Sequence, residues 1–171
     1  MHRENEKHDR TMNITIDFQD IFERCMRETA YMGRTSEQQH SDEIRGTTDE
    51  KVFANQYVGI FHIVRIRGSD RPLLMSFIRE GAHLLESMLR EAMSDGGSYT
   101  TESVSWEFHS ADGACTAGLL EDALTAYALW RWLSDKLPEQ AQAYEAQMKN
   151  TMEGMKGNVR QLRKPRKCYR R

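Results

Sequence analysis

Hydrophobic positions along the chain follow a helical period almost throughout, and the densest run lies at residues 119–137 (LLEDALTAYALWRWLSDKL). Leu120, Ala123, Leu124, Tyr127, Ala128, Trp130 and Leu133 recur at helical spacing, while Leu119, Leu129 and Trp132 fall outside that stripe. A helix apolar on most sides is packed from several directions. This one predicts either the central post of a helical domain or a helix sealed in part by a neighbouring subunit. With Glu121, Asp122, Arg131, Asp135 and Lys136 inside it, the run is too short and too charged to span a bilayer.

Four further helices are predicted around it. The first covers residues 17–32, with Ile14, Phe18, Ile21, Phe22, Cys25, Met26 and Thr29 on one face and Gly33 as its C-terminal cap. The second opens on Thr47-Thr48-Asp49-Glu50, a capping-box pattern, and buries Phe53, Tyr57, Ile60, Phe61 and Val64. The third begins near Pro72 and repeats Leu74, Phe77, Ile78, Gly81, Leu84, Leu85, Met88, Leu89 and Ala92 before stopping at residues 94–97. The last starts at Pro138 and carries a thin seam of Ala141, Tyr144, Met148, Met152, Met155, Val159 and Leu162. A seam that narrow predicts weak packing on its own domain.

One stretch changes period. In residues 101–109, Val104, Trp106 and Phe108 alternate with Ser103, Ser105, Glu107 and His109, which predicts a half-buried strand. Residues 98–100 could pair back on it as a short hairpin. Otherwise it stands alone and needs a neighbour, because a single strand is not stable by itself. The fold class is therefore mainly α: about five helices in a bundle, a short strand or hairpin before the fourth helix, and a long C-terminal helix ending in a basic tail. Residues 1–11 are predicted to be a disordered arm, 12–163 a single domain containing a flexible loop at 34–46, and 164–171 the tail.

Charge sharpens the picture. The 171 residues carry a net charge of −2. Eight lysines and arginines and no acid follow Gly154, which leaves 16 basic against 26 acidic residues, a charge of −10, in the rest. An acidic body with a basic tail predicts an anionic partner for the tail. Docking in an acidic cleft, a solvated terminus and phosphate neutralisation on nucleic acid all fit. Tyr169 is the one aromatic among the tail cations, so base-specific readout is not indicated.

Candidate chemistry changes little. Cys25, Cys115 and Cys168 are widely separated and form no C-x-x-C, which fits a reducing compartment and reads Cys25 and Cys115 as small buried residues. No phosphate-binding loop, dinucleotide fingerprint, nucleophile elbow or H-E-x-x-H occurs. None of the six histidines lies three or four residues from another, so no metal site and no cofactor is assigned. Glu121 and Asp122 near Asp112 fit a helix start better than an acid–base pair. Trp130 and Trp132 point to different sides of their helix: one fills the core and the other is a candidate interface anchor.

Three stretches carry a family resemblance: RETAYMGRT at residues 27–35, DEIRGTTDEKVFANQYV at 42–58, and the strand, central helix and Pro138 corner ending in QLRKPRK at 161–167. Over residues 12–167 the chain resembles the small helical neck proteins of tailed bacteriophages and prophages, the head–tail connector, adaptor or head-completion proteins, with the nearest likeness in phages of gut Bacteroidetes. The long 34–46 loop and the polar first eleven residues depart from that pattern. The resemblance implies a non-enzymatic virion subunit, assembled in the host cytoplasm, that forms a ring of about twelve copies in the neck. It implies contacts with the portal protein, other neck or tail proteins and, non-specifically, genomic DNA, and none with a membrane. Arg160, Arg163, Lys164, Arg166, Lys167, Arg170 and Arg171 are the expected partner-binding residues. Val104, Trp106, Phe108 and Trp132 are the expected subunit interface. The rivals are a tail-completion or other virion ring protein, a helical nucleic-acid-binding or regulatory protein using the tail, and an enzyme with a scattered site.

Overall fold

In the computed structural model, residues 11–44, 63–109 and 117–162 are described; for 33–44 and 158–162 this covers the backbone path alone. The chain runs through strand β1 (Met12–Asp17), helix α1 (Phe18–Ile44), helix α2 (Arg71–Leu89), strands β2 (Ser98–Tyr99) and β3 (Ser103–Phe108), helix α3 (Ala117–Leu133) and helix α4 (Pro138–Leu162). Short 3-10 turns at Gly68–Asp70 and Arg90–Ala92 flank α2. The architecture is mainly helical, with helices packed on one face of a small antiparallel sheet.

The sheet has the order β1-β3-β2. β1 lies antiparallel to β3 over its whole length, from Met12 opposite Phe108 to Asp17 opposite Ser103, and β2 lines the other side of β3. Beyond β2 the pairing continues through Met93 opposite Phe108. Ile14, Ile16, Val104, Trp106 and Phe108 face the helices and are buried, while Asn13, Thr15 and Asp17 stay exposed. That alternation is the period-two signature of a strand with one wet face.

Two expectations are corrected here. Residues 12–17 are a strand and not the approach to a helix, so Ile14 belongs to the sheet. The 101–109 strand is not alone: β3 is the middle strand, paired on both sides within its own chain. The hairpin option, with residues 98–99 folding back, is the one realised.

Asp17 turns β1 into α1. Its carboxylate oxygen Oδ1 accepts the Gln19 backbone N–H at 2.8 Å, the bond expected of a helix N-cap. α1 then continues as helix through Gly33 to Ile44, so the predicted cap at Gly33 and most of the predicted 34–46 loop are overturned. The sequence RTSEQQHSDEI lacks proline and glycine, and its Arg, Glu and Gln residues lose little side-chain freedom in a helix. The predicted second helix lies outside the described residues except for Ile63 and Val64, which are helical.

α3 is the central post. Ten of its side chains are buried, from Leu120 to Leu133, and it touches α1, α2, α4 and β1. Its most extensive partner is α4. Ala141, Met148, Met152 and Met155 of α4 are each at most 5% exposed, so the thin seam packs firmly on the chain's own domain, contrary to expectation. Unbranched methionines fill an irregular groove with little strain, which explains how a narrow stripe suffices. At Gly81 on α2, a built β-carbon would lie 2.9 Å from the Tyr127 ring, so a side chain there would press on α3.

Segment 64–66 is held by two buried polar groups. Trp132 Nε1 donates to the Val64 carbonyl at 2.7 Å, and Thr29 Oγ1 accepts the Ile66 N–H at 3.2 Å while donating back to the Cys25 carbonyl at 3.0 Å. The backbone groups of a buried crossing must find such partners.

Candidate functional site

Four of the residues expected to form a site lie together in the interior of the chain. Val104 and Trp106 are fully buried, Phe108 is 2% exposed and Trp132 6% exposed, all within one core cluster of this chain. They are the residues expected to form a subunit interface; in this chain those side chains are spent on its own interior, because β1 and β2 supply the strand neighbours and segment 64–66 covers Trp132. The Lys136 ammonium caps the Trp132 ring, 3.4 Å from its centroid, and donates to the Trp132 carbonyl at 2.9 Å. Trp130, expected to fill the core, is the half-buried member of the pair. It meets Tyr127 edge-on at 5.5 Å, with the Arg131 guanidinium near its ring.

Of the expected partner-binding cations, Arg160 lies on the last turns of α4. Arg163, Lys164, Arg166, Lys167, Arg170 and Arg171 lie outside the described residues. Among the described residues the buried seam of α4 reaches Met155, and the cationic run follows directly from Lys156.

Two polar clusters emerge that sequence reasoning missed. The first is an open depression of about 500 Å³ along α1, lined by Asp20, Ile21, Glu23, Arg24, Arg27, Glu28 and, from α3, Glu121. Helical spacing on α1 brings the first six residues to one face; Glu121 joins them because α1 packs on α3. Arg24 crosses the two helices to the Asp122 carboxylate, a pair about 40% exposed and therefore worth at most about 1 kcal/mol. At its inner margin, burial together with the Glu28 carboxylate pushes the Tyr144 hydroxyl up to about 12, and burial raises the Cys25 thiol to about 12. Both groups are therefore held protonated near neutral pH, a state in which neither is a nucleophile.

The second cluster fastens the hairpin to α2. Tyr99 on β2 donates its hydroxyl to Glu86 Oε2 at 2.6 Å, and His83 stacks on the Tyr99 ring at 4.3 Å. The Tyr99 bond, the Gly97 backbone N–H and the nearby His83 and Arg90 hold the Glu86 carboxyl below its ordinary range, against the opposing effect of burial. Tyr99 is pushed up, first by burial and then by Glu86. Behind them the Trp106 indole N–H is buried without a hydrogen-bond partner. Gly97 explains the fit: a β-carbon there would lie 2.7 Å from Trp106 Nε1 and 2.8 Å from Glu86 Oε2. A run of Ser94-Asp95-Gly96-Gly97 signals only a turn, so the carboxylate contact eleven residues upstream was not readable.

Among the described residues no group of three or more His, Cys, Asp or Glu side chains could hold a metal ion. No described helix is long and apolar enough to cross a membrane. The class defined so far is architectural: a mainly helical chain carrying a small three-stranded antiparallel sheet. Comparison with protein-family models, curated proteins and solved structures gave no match.

Proposed function

We propose that this chain is a non-enzymatic structural subunit of a tailed-phage virion, a head–tail connector or adaptor that assembles as a ring in the neck and docks on the portal. The observation that carries the reading is the segregation of charge along α4. Its apolar seam is anchored on α3 as far as Met155, and every ionisable Lys, Arg, Asp or Glu from Gly154 onward is a cation. Such a terminus attracts a negatively charged surface, whereas the acidic remainder of the chain repels that surface. In this reading Arg160, Arg163, Lys164, Arg166, Lys167, Arg170 and Arg171 bind the portal or line the DNA path. The expected ring is of about twelve copies, the remaining partners are other neck or tail proteins, and the site of action is the virion, after assembly in the host cytoplasm.

The ring requires subunit contacts other than the side chains of Val104, Trp106, Phe108 and Trp132, which are occupied internally. Truncation after Leu162 tests the reading. The helical signal and the unfolding midpoint are expected to stay unchanged while portal docking, followed by electron microscopy of mixed particles, is lost. Docking at the wild-type level by the truncated chain refutes it.

The same charge layout supports a second reading, a nucleic-acid-binding or regulatory protein acting through the tail. Its mark is a DNA affinity that falls steeply with salt, with a slope that drops by about one for each tail cation removed.

A further inference from the structure

The internal pairing of β3 transfers the free edge of the sheet to β1. Phe18 N–H donates to the Glu102 carbonyl at 2.7 Å, and this pair continues the β1–β3 register by one step. Antiparallel ladders alternate bonded and non-bonded pairs, so Met12, Ile14 and Ile16 direct their backbone groups at β3. The same parity holds across the sheet, where the Glu107 and Ser103 carbonyls accept from Ser94 and Thr100 on the far side of β3. Asn13, Thr15 and Asp17 therefore direct their N–H and C=O groups outward. Among the described residues none of the three is bonded through its backbone to another segment. Their side chains are exposed as well. The edge lacks the usual protections, having no proline, no lysine and no bulge over its six residues.

We infer that this edge pairs with β1 of a second copy, antiparallel about a two-fold axis at Thr15. In that register Asn13 faces the second copy's Asp17, Thr15 faces Thr15, and Asp17 faces Asn13. All three outward residues on each strand become bonded pairs, and the two sheets join into one of six strands. The side chains match in the same register. The Asn13 amide can donate to the Asp17 oxygen left over from capping α1, and the two Thr15 side chains meet at the axis, a favoured cross-strand pair. A slip by one residue would set outward groups against a non-bonding frame, and a slip by two would leave an end residue unpaired on each strand.

This pairing is isologous and closes at two copies. It describes the free protein and is independent of the ring reading above, which needs head-to-tail contacts made elsewhere.

Two variants isolate the edge. Thr15→Pro removes the outward N–H of each copy at the axis and breaks no backbone bond to β3, its one loss on that side being the exposed hydrogen bond between Thr15 Oγ1 and Ser105 Oγ; proline is tolerated on an edge strand because no ladder bond to its neighbour is removed. Losing two symmetric hydrogen bonds is expected to weaken the dimer about 30-fold. Thr15→Lys keeps the backbone intact and sets two like charges opposite each other, so it serves if the proline variant folds poorly. The measurements are mass by light scattering across a dilution series and hydrogen exchange of the Asn13, Thr15 and Asp17 amides. Wild-type dimers are expected, with those three amides protected in proportion to the dimer fraction; the Asn13 and Asp17 amides are expected to be exposed in both variants, and the amide at position 15 to be exposed in Thr15→Lys. A monomer at all concentrations overturns the inference. So does any oligomer whose mass is unchanged by Thr15→Lys and whose Thr15 amide exchanges freely. A ring of many copies showing that second behaviour would leave the connector reading standing while removing this one.

Discussion

Replacing Trp132 by Phe separates an internal clamp from an interface anchor. The indole sits at 6% exposure, and its N–H is the buried partner of the Val64 carbonyl at 2.7 Å. Val64 is itself 3% exposed, so water cannot replace the lost donor without opening the crossing. Orphaning a buried carbonyl costs about 1–3 kcal/mol. The missing indole atoms add a void beneath segment 64–66 and weaken the contact with the Lys136 ammonium, which together bring the loss to about 3 kcal/mol. For a chain of this size that corresponds to a melting temperature lower by about 6–12 °C. The assay is urea denaturation followed by circular dichroism, with mass by light scattering in parallel. Trp130→Phe, at a half-buried site, is the control and is expected to shift stability by less than about 1 kcal/mol. The reasoning fails if Trp132→Phe unfolds at the wild-type midpoint yet loses self-association. That outcome would mean the ring meets another subunit and not residues 64–66.

Four further outcomes follow from the same geometry. Thr29→Val deletes the hydroxyl that accepts the Ile66 N–H and is expected to cost about 1–3 kcal/mol in the same denaturation assay, although valine matches its shape. Gly97→Ala forces a methyl against Trp106 and Glu86; it is expected to cost about 1–3 kcal/mol and to expose the Tyr99 amide to hydrogen exchange. Glu86, held below its ordinary value of 4.5, stabilises the fold through its ionised form. That contribution is complete above about pH 4.5 and is lost as pH falls through the depressed value, so Glu86→Gln should flatten the acid limb of the stability profile. The Cys25 thiol, raised to about 12, is expected to resist alkylation at pH 8 in the native protein and to react on unfolding, as read by mass spectrometry of its peptide.

Local pattern was sufficient wherever an element is defined by its own period. The 3.6-residue repeats located α2, α3 and α4, and Pro72 and Pro138 marked two helix starts to within a residue or two. The alternation of Val104, Trp106 and Phe108 located β3, and the over-apolar run at 119–137 correctly announced a helix enclosed from several sides. Charge segregation towards the C-terminus is likewise a property of sequence alone.

What sequence could not decide was which surfaces find partners within the chain. MNITID alternates over only six residues, and its strand partner lies some ninety positions away, so nothing local distinguishes it from the approach to a helix. A hydrophobic period states that a face will be buried; it does not state against what. Trp106 and Trp132 look the same in a pattern whether they meet a neighbour or their own core, and only the closure of β1 and segment 64–66 over them settled the matter. The Glu86–Tyr99 clasp and the free backbone edge of β1 are likewise products of assembly, because hydrogen-bond parity and side-chain reach are fixed only once distant segments are placed side by side.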